Sequence, residues 1–273
     1  MNRITRSHYL RLGCGAVVLA IVIAACSQVP VTGRSQLSLV SSQEMLSMST
    51  TEYTTFLKSN KVVPADDKQA QLVRKVGQNI QHAVERYFKD HNLSENLNGY
   101  KWEFNLVENK EVNAWCMPGG KVVVYTGILP VTKNDTGLAV VLGHEIAHAV
   151  AEHGKERMSQ GMLAQLGGMA LDQALATKTA ETKQIWMTAY GLGAQYGVLM
   201  PYGRTQESEA DHLGLIFMAM AGYDPHGALL FWQRMSVLGG PKPPELLSTH
   251  PSDETRIADI SKAMPEAMTY YHK

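Results

Sequence analysis

A disulfide framework is the first thing this sequence cannot support. It holds 3 cysteines, Cys14, Cys26 and Cys116, and the first two fall in or beside an N-terminal targeting segment, which leaves Cys116 with no partner. Cys116 therefore reads as a small apolar filler on a strand. Net charge is absent too, with 25 basic against 25 acidic residues. No basic stripe remains to hold nucleic acid, which excludes that class of partner. Long apolar runs are missing beyond the targeting segment: Ile185 to Met200 is uncharged but too short to cross a bilayer. Hydrophobic content is ample, at 45% over 273 residues, enough for one full core in one domain.

Residues 1–25 read as a signal peptide. Arg3, Arg6 and Arg11 form a positive start, Leu12 to Ala25 an apolar centre, and Ile23-Ala24-Ala25-Cys26 ends it with small residues before a cysteine. This looks like a bacterial lipobox, in which Cys26 is acylated and becomes the first mature residue. Ser27 in the next position resembles the sorting pattern for the outer membrane, so the sequence suggests lipid anchoring on the periplasmic face of a bacterial outer membrane. Without those three arginines the acidic residues outnumber the basic ones by three. Residues 26–40, with Pro30 and Gly33, read as an extended lipidated tether, residues 41–265 as the folded domain, and 266–273 as a tail.

Within the domain, Ser41 or Ser42 followed by Glu44 begins a helix to about Asn60, and Pro64-Ala-Asp-Asp opens a longer one with Leu72, Val76, Ile80 and Val84 at helical spacing. The period then shortens. Trp102–Val107, Val112–Met117 and Lys121–Thr126 read as three strands, with Pro118-Gly119-Gly120 turning between the last two. The expected fold class is α+β, mainly helical, with a small antiparallel sheet packed by the helix that follows. Such a sheet offers an edge, along Asn113, Ala114 and Trp115, to which an extended peptide can add as another strand.

The helix after the sheet carries the chemistry. His144-Glu145-Ile146-Ala147-His148 has the form HExxH, and one helical turn puts both imidazoles on one face, where they converge on a single ion. Neutral imidazole suits zinc, and Glu145 lies beside the pair as a general base for the attacking water. Asn134, Asp135 or Thr136 can cap this helix, and Gly154 is placed to close it in the left-handed conformation.

A catalytic zinc takes three protein ligands. His153 follows His148 by five positions, so on a continuing helix it faces the other side. Ala151 and Gly154 stand where the metzincin pattern needs glycine and histidine, which rejects that class. Glu207 and Asp211 are four apart and share a face, whereas Glu209 points elsewhere. One of the two carboxylates can bind metal while the other accepts the outer N–H of a ligand histidine. Between the two motifs, residues 155–200 are rich in Gly, Ala and Met and read as a helical hairpin near the site. Beyond them Gly222 ends the Glu207 helix, Asp224-Pro225 caps the next, to about Leu238, and a last helix covers Asp253 to Ala263.

Taken together, His144–His148, Glu207-Ser-Glu-Ala-Asp211, Asn113–Gly120 and His250-Pro-Ser-Asp-Glu-Thr-Arg256 resemble the zinc metallopeptidase family that includes HtpX, the CAAX prenyl proteases and the mitochondrial Oma peptidase. The resemblance implies one zinc per chain held by His144, His148 and Glu207, with Glu145 as general base and Asp211 supporting a ligand. It places His250 near the metal, where it or Arg204 would face the developing oxyanion. The implied activity is endopeptidase cleavage of unfolded or misfolded envelope proteins. The competing expectations are an envelope chaperone or assembly factor with a structural zinc, and a cell-wall amidase.

Overall fold

The computed structural model of the chain describes residues 26–238 and 252–272. The segment read as a signal peptide, the Cys26 side chain expected to be acylated, and His250 all lie outside the described residues and side chains.

The chain begins with a two-stranded antiparallel hairpin, β1 (Cys26–Gln28) and β2 (Ser35–Leu37). Here the tether expectation is corrected. Val29 N donates to Arg34 O and Gly33, at φ 69°, turns the chain back, while Val29 is fully enclosed in the core. An apolar side chain and a turn glycine thus build residues 26–37 into the domain. Helix α1 (Ser42–Ser59) starts at a capping box in which Ser41 and Glu44 satisfy each other's backbone amides. Helix α2 (Lys68–Asp90), capped by Asp67, buries Val73, Val76, Ile80, Val84 and Phe88 completely along one face.

Three strands follow: β3 (Glu103–Val107), β4 (Ala114–Met117) and β5 (Lys121–Tyr125). They form one sheet in the order β3-β5-β4. β4 and β5 make the expected hairpin, but β3 pairs parallel to β5, so the sheet is mixed rather than antiparallel. The reason lies in β5. Its Val122, Val123 and Val124 are all fully buried, which requires cover on both faces and a neighbour on both edges, the environment of a central strand.

A one-turn helix, Leu129–Thr132, leads into α3 (Asp135–Val150). Helix α3 is buried on nearly every side, against β4 and α2 on one flank and α6 on the other. After it come α4 (His153–Ala174) and α5 (Ala180–Ala194), a hairpin held by the Tyr190 hydroxyl donating to Ala164 O and by Lys183 on Asp172. A π-turn, Gln195–Leu199, runs without a break into α6 (Met200–Met220). Gly222, at φ 84°, ends α6 as expected. Helices α7 (Gly227–Leu238) and α8 (Asp253–Thr269) complete the domain. Helix α8 continues past residue 265 and buries Ala267, so residues 266–269 belong to the core rather than to a tail. Among the described residues no helix is long and apolar enough to cross a membrane.

Candidate metal centre

Two glycines set the geometry. A Cβ on Gly143 of α3 would lie 2.8 Å from Gly214 O of α6, and one on Gly214 would lie 2.9 Å from His144 N. The two helices therefore cross with their backbones in contact, closer than any side chain would permit. His144 and His148 project from α3 at this crossing, and Glu207 and Asp211 project from α6, each pair one turn apart.

Three donor atoms converge. His144 Nε2 and His148 Nε2 are 3.1 Å apart, His148 Nε2 is 3.2 Å from Glu207 Oε1, and His144 Nε2 is 3.6 Å from Glu207 Oε2. All three residues are buried. Donors about 2.0–2.1 Å from a tetrahedral zinc lie roughly 3.3 Å from one another, so the spacing fits an ion of that size. The electrostatics fit as well. Burial, opposed by Glu207, drives the His148 pKa down to about 3, so this ring is neutral, the form that ligates. Two ring nitrogens and a carboxylate then share a buried space, an arrangement that a bound cation stabilises.

Each imidazole is held from behind. His144 Nδ1 lies 2.8 Å from Asp211 Oδ1, which leaves Nε2 for the metal position. Burial disfavours a proton on this ring, but the Asp211 carboxylate outweighs it and the pKa stays raised. Asp211 in turn receives Arg256 Nε at 2.7 Å and Nη2 at 2.9 Å. Arg256 Nη2 also lies 3.3 Å from Glu207 Oε2, and the guanidinium stacks 3.5 Å over the Trp232 ring. Burial pushes the Asp211 pKa up, yet Arg256 and His144 together leave it lowered.

His148 is backed by His153, contrary to the sequence reading, with Nδ1 to Nδ1 at 2.7 Å. Helix α3 does not close at Gly154. Ala151 caps it, Glu152 takes the left-handed conformation at φ 58°, and α4 begins at His153. The helical period is broken, so a residue five positions on swings back to the ligand. A non-glycine residue there costs roughly 1–2 kcal/mol, and Glu152 is anchored by Lys155 Nζ at 2.8 Å and Ser42 Oγ at 2.9 Å. Glu209 likewise does not point elsewhere: its Oε2 lies 3.0 Å from His153 Nε2.

Glu145 is the remaining carboxylate at the centre. Burial raises its pKa to about 7, with His144 pulling down and Glu207 pushing up. Burial also lifts the Cys116 thiol well above its ordinary value, with Glu145 adding to the effect, which favours the protonated thiol. Strand β4 packs on α3 and has no backbone partner on its outer edge among the described residues. Asn113 O accepts from Tyr125 N just ahead of β4, Ala114 is buried, and Trp115 turns its ring onto Tyr53 and Phe56. Arg204 is partly buried one turn before Glu207. Arg256 places a guanidinium on Glu207 and Asp211, and the sequence offered for it only membership of the Pro-Ser-Asp-Glu-Thr-Arg run.

A buried pair of histidines on one helix, a glutamate on the helix that crosses it and a small flanking sheet define a zincin-like metal centre. The chain belongs to peptidase family M48, whose profile matches residues 74–264. The mitochondrial metalloendopeptidase OMA1 of Saccharomyces cerevisiae is 31% identical over 274 residues, covering 93% of this chain and 76% of that protein. The human mitochondrial metalloendopeptidase OMA1 is 31% identical over 247 residues, 88% of this chain and 46% of that protein. The beta-barrel assembly-enhancing protease of Escherichia coli is 28% identical over 164 residues, 58% of this chain and 33% of that protein. The chain thus spans less than half the length of the human and E. coli proteins, and 38% of the Arabidopsis thaliana mitochondrial metalloendopeptidase OMA1.

These relatives correct the expected location. The resemblance that covers most of the chain falls on proteins named mitochondrial, which overturns the seat on the periplasmic face of a bacterial outer membrane. An arginine-bearing, acid-free leader is common to secretory and mitochondrial targeting segments, so residues 1–25 do not separate the two.

Proposed function

We propose that this chain is a zinc-dependent endopeptidase that cleaves unfolded or misfolded proteins in protein quality control. The observation that carries the reading is the set of three donor atoms 3.1–3.6 Å apart with Glu145 on the same helix turn. Zinc held there would supply Lewis acidity, polarising a scissile carbonyl and easing deprotonation of water at neutral pH. Glu145 takes the proton of the attacking water and later delivers it to the leaving amine. Its pKa of about 7 without a metal suits a group that must both accept and return a proton, and a neighbouring cation moves it toward the ionised, basic form.

His144, fixed through Nδ1 by Asp211, and His148, neutral through burial, present bare nitrogens. Arg256 pairs with Asp211 and also approaches Glu207, so the carboxylates left to face a metal are Glu207 and Glu145. The free edge of β4 supports an extended peptide laid antiparallel beside Asn113, Ala114 and Trp115, bound through main-chain hydrogen bonds that are indifferent to sequence. That indifference suits a substrate recognised as unfolded rather than by a motif.

The test is digestion of casein by the purified chain, with metal content measured in parallel. Wild type should contain one zinc and cut, chelator should stop it and added zinc restore it. Glu145→Gln should keep its zinc and lose roughly 10²–10⁴-fold in rate. Undiminished cleavage by Glu145→Gln removes the assigned base, and a zinc-loaded wild type that cuts no unfolded protein favours a binding protein with a structural metal.

A further inference from the structure

We propose that His153, Glu209 and Arg34 form a positioning relay that fixes the tautomer and orientation of His148, so that the N-terminal hairpin is part of the metal centre. The inference rests on the reading of His148 as a ligand. Its starting point is that an imidazole pair joined through two Nδ1 atoms at 2.7 Å must hold one proton between them.

The position of that proton follows from the far end. Glu209 Oε2, 3.0 Å from His153 Nε2, belongs to a carboxylate that only accepts when ionised. It is paired with the Arg34 guanidinium, whose Nε donates to Oε2 at 2.9 Å, and Thr32 Oγ1 donates to Oε1, so this carboxylate faces only donors. Facing that acceptor, a neutral His153 carries its single proton on Nε2. Its Nδ1 is then bare and accepts. The shared proton therefore belongs to His148 Nδ1, and His148 Nε2 turns a free lone pair toward His144 and Glu207. A ring rotated or protonated otherwise would present N–H to the ion.

Arg34 anchors the relay. Its Nε donates to Glu209 Oε2 at 2.9 Å, and its two terminal nitrogens grip Glu156 at 3.0 and 2.8 Å. Glu156 is fully buried and also accepts from Gln206 Nε2 at 2.7 Å, the residue next to Glu207. A planar guanidinium satisfies two carboxylates on two helices at once, which an ammonium on a flexible stem does not reproduce. Arg34 is delivered by the β1–β2 hairpin, whose Val29 is locked in the core.

A merely structural network and a positioning relay differ in what they do to metal affinity. In His153→Phe the ring volume stays but the acceptor for His148 Nδ1–H is gone. In His153→Asn a carbonyl oxygen stands where Nδ1 was, and only the bond to Glu209 is lost. Zinc affinity of the full chain, measured by competition with a chromophoric chelator, should fall about 10–100-fold in His153→Phe and largely recover in His153→Asn. The absorption bands of the cobalt-loaded protein should shift in His153→Phe and return in His153→Asn. Glu209→Gln and Arg34→Met should weaken zinc in the same direction, and they carry the test if His153→Phe does not fold. Wild-type affinity with an unchanged cobalt spectrum in His153→Phe overturns the relay, as does an equal loss in His153→Asn. Wild type that binds no metal instead overturns the functional reading on which the relay rests.

Discussion

Replacing Arg256 by methionine separates a buried ion pair from an ordinary surface contact. Arg256 is 6% exposed, makes two hydrogen bonds to Asp211, approaches Glu207 and stacks on Trp232. Methionine keeps much of the apolar contact with the indole but leaves Asp211 as a buried carboxylate whose one remaining partner is the His144 ring. Breaking such a pair from one side costs about 3–5 kcal/mol, which for a domain of this size is roughly 6–20 °C in melting temperature at about 2–4 °C per kcal/mol. The assay is thermal denaturation followed by circular dichroism in the presence of chelator, so that metal binding does not enter. The pH dependence has a defined sign. Asp211 is depressed in the folded state, so its contribution is complete above the unfolded carboxylate pKa of about 3.9 and fades below it. The gap between wild type and Arg256→Met should therefore narrow as the solution is acidified through that range. Adding Asp211→Asn should restore part of the loss, because the uncompensated charge is then gone, giving a coupling of order 0.5–3 kcal/mol. A loss under about 1 kcal/mol, or strict additivity of the two substitutions, refutes the reasoning.

Two further outcomes follow from the same contacts. Gly214→Ala should cost about 1–3 kcal/mol by forcing α3 and α6 apart, and it should weaken metal binding because His144 and Glu207 ride on different helices; tight zinc binding in that variant would show that the crossing does not set the donor spacing. For Glu209, whose folded pKa of about 2 lies below its unfolded value, the stabilisation is complete above about pH 4.5 and is lost as pH falls toward 2. The difference in melting temperature between wild type and Arg34→Met should be constant above about pH 5 and close below it, and a difference that widens in acid would contradict the pairing.

The helices and the residues that converge at the candidate metal centre were legible in the sequence because each is a local pattern. Ser41 with Glu44, the stripe from Val76 to Val84, and His144 with His148 are all periodicities of one helix, and Glu207 with Asp211 repeats the spacing on a second. What the sequence concealed depends on where the period stops. Reading α3 as continuous to Gly154 sends His153 away from the metal, and only the left-handed turn at Glu152 brings it back. No residue there announces that turn, since glutamate is an unfavourable choice for it. Strand alternation likewise showed where β3, β4 and β5 lie but not that β5 is central, because pairing partners are set by burial on both faces rather than by the strand's own pattern. Arg34 and Arg256 were invisible for a different reason: an arginine far along the chain has no periodic relation to the carboxylate it will meet.

Those two arginines give the centre a common logic. His144 leans on Asp211 and then on Arg256 from α8, and His148 leans on His153, Glu209 and then Arg34 from the N-terminal hairpin. In both arms a carboxylate orients an imidazole and a cation is paired with that carboxylate; Arg256 Nη2 also comes within 3.4 Å of His144 Nε2 and 3.3 Å of Glu207 Oε2. Arg34 is shared by Glu156 and Glu209 outside the donor set, whereas Arg256 reaches Glu207 as well as Asp211, and a divalent ion would compensate the carboxylate charge that remains on Glu207 and Glu145. The arginines come from the first and last elements of the described fold, so the two arms behind the donor set are complete only when both ends are docked on α6. A chain that has folded only its central helices would hold the HExxH residues but leave Asp211 and Glu209 without their cations, and buried carboxylates in that condition take up protons and cease to orient the rings.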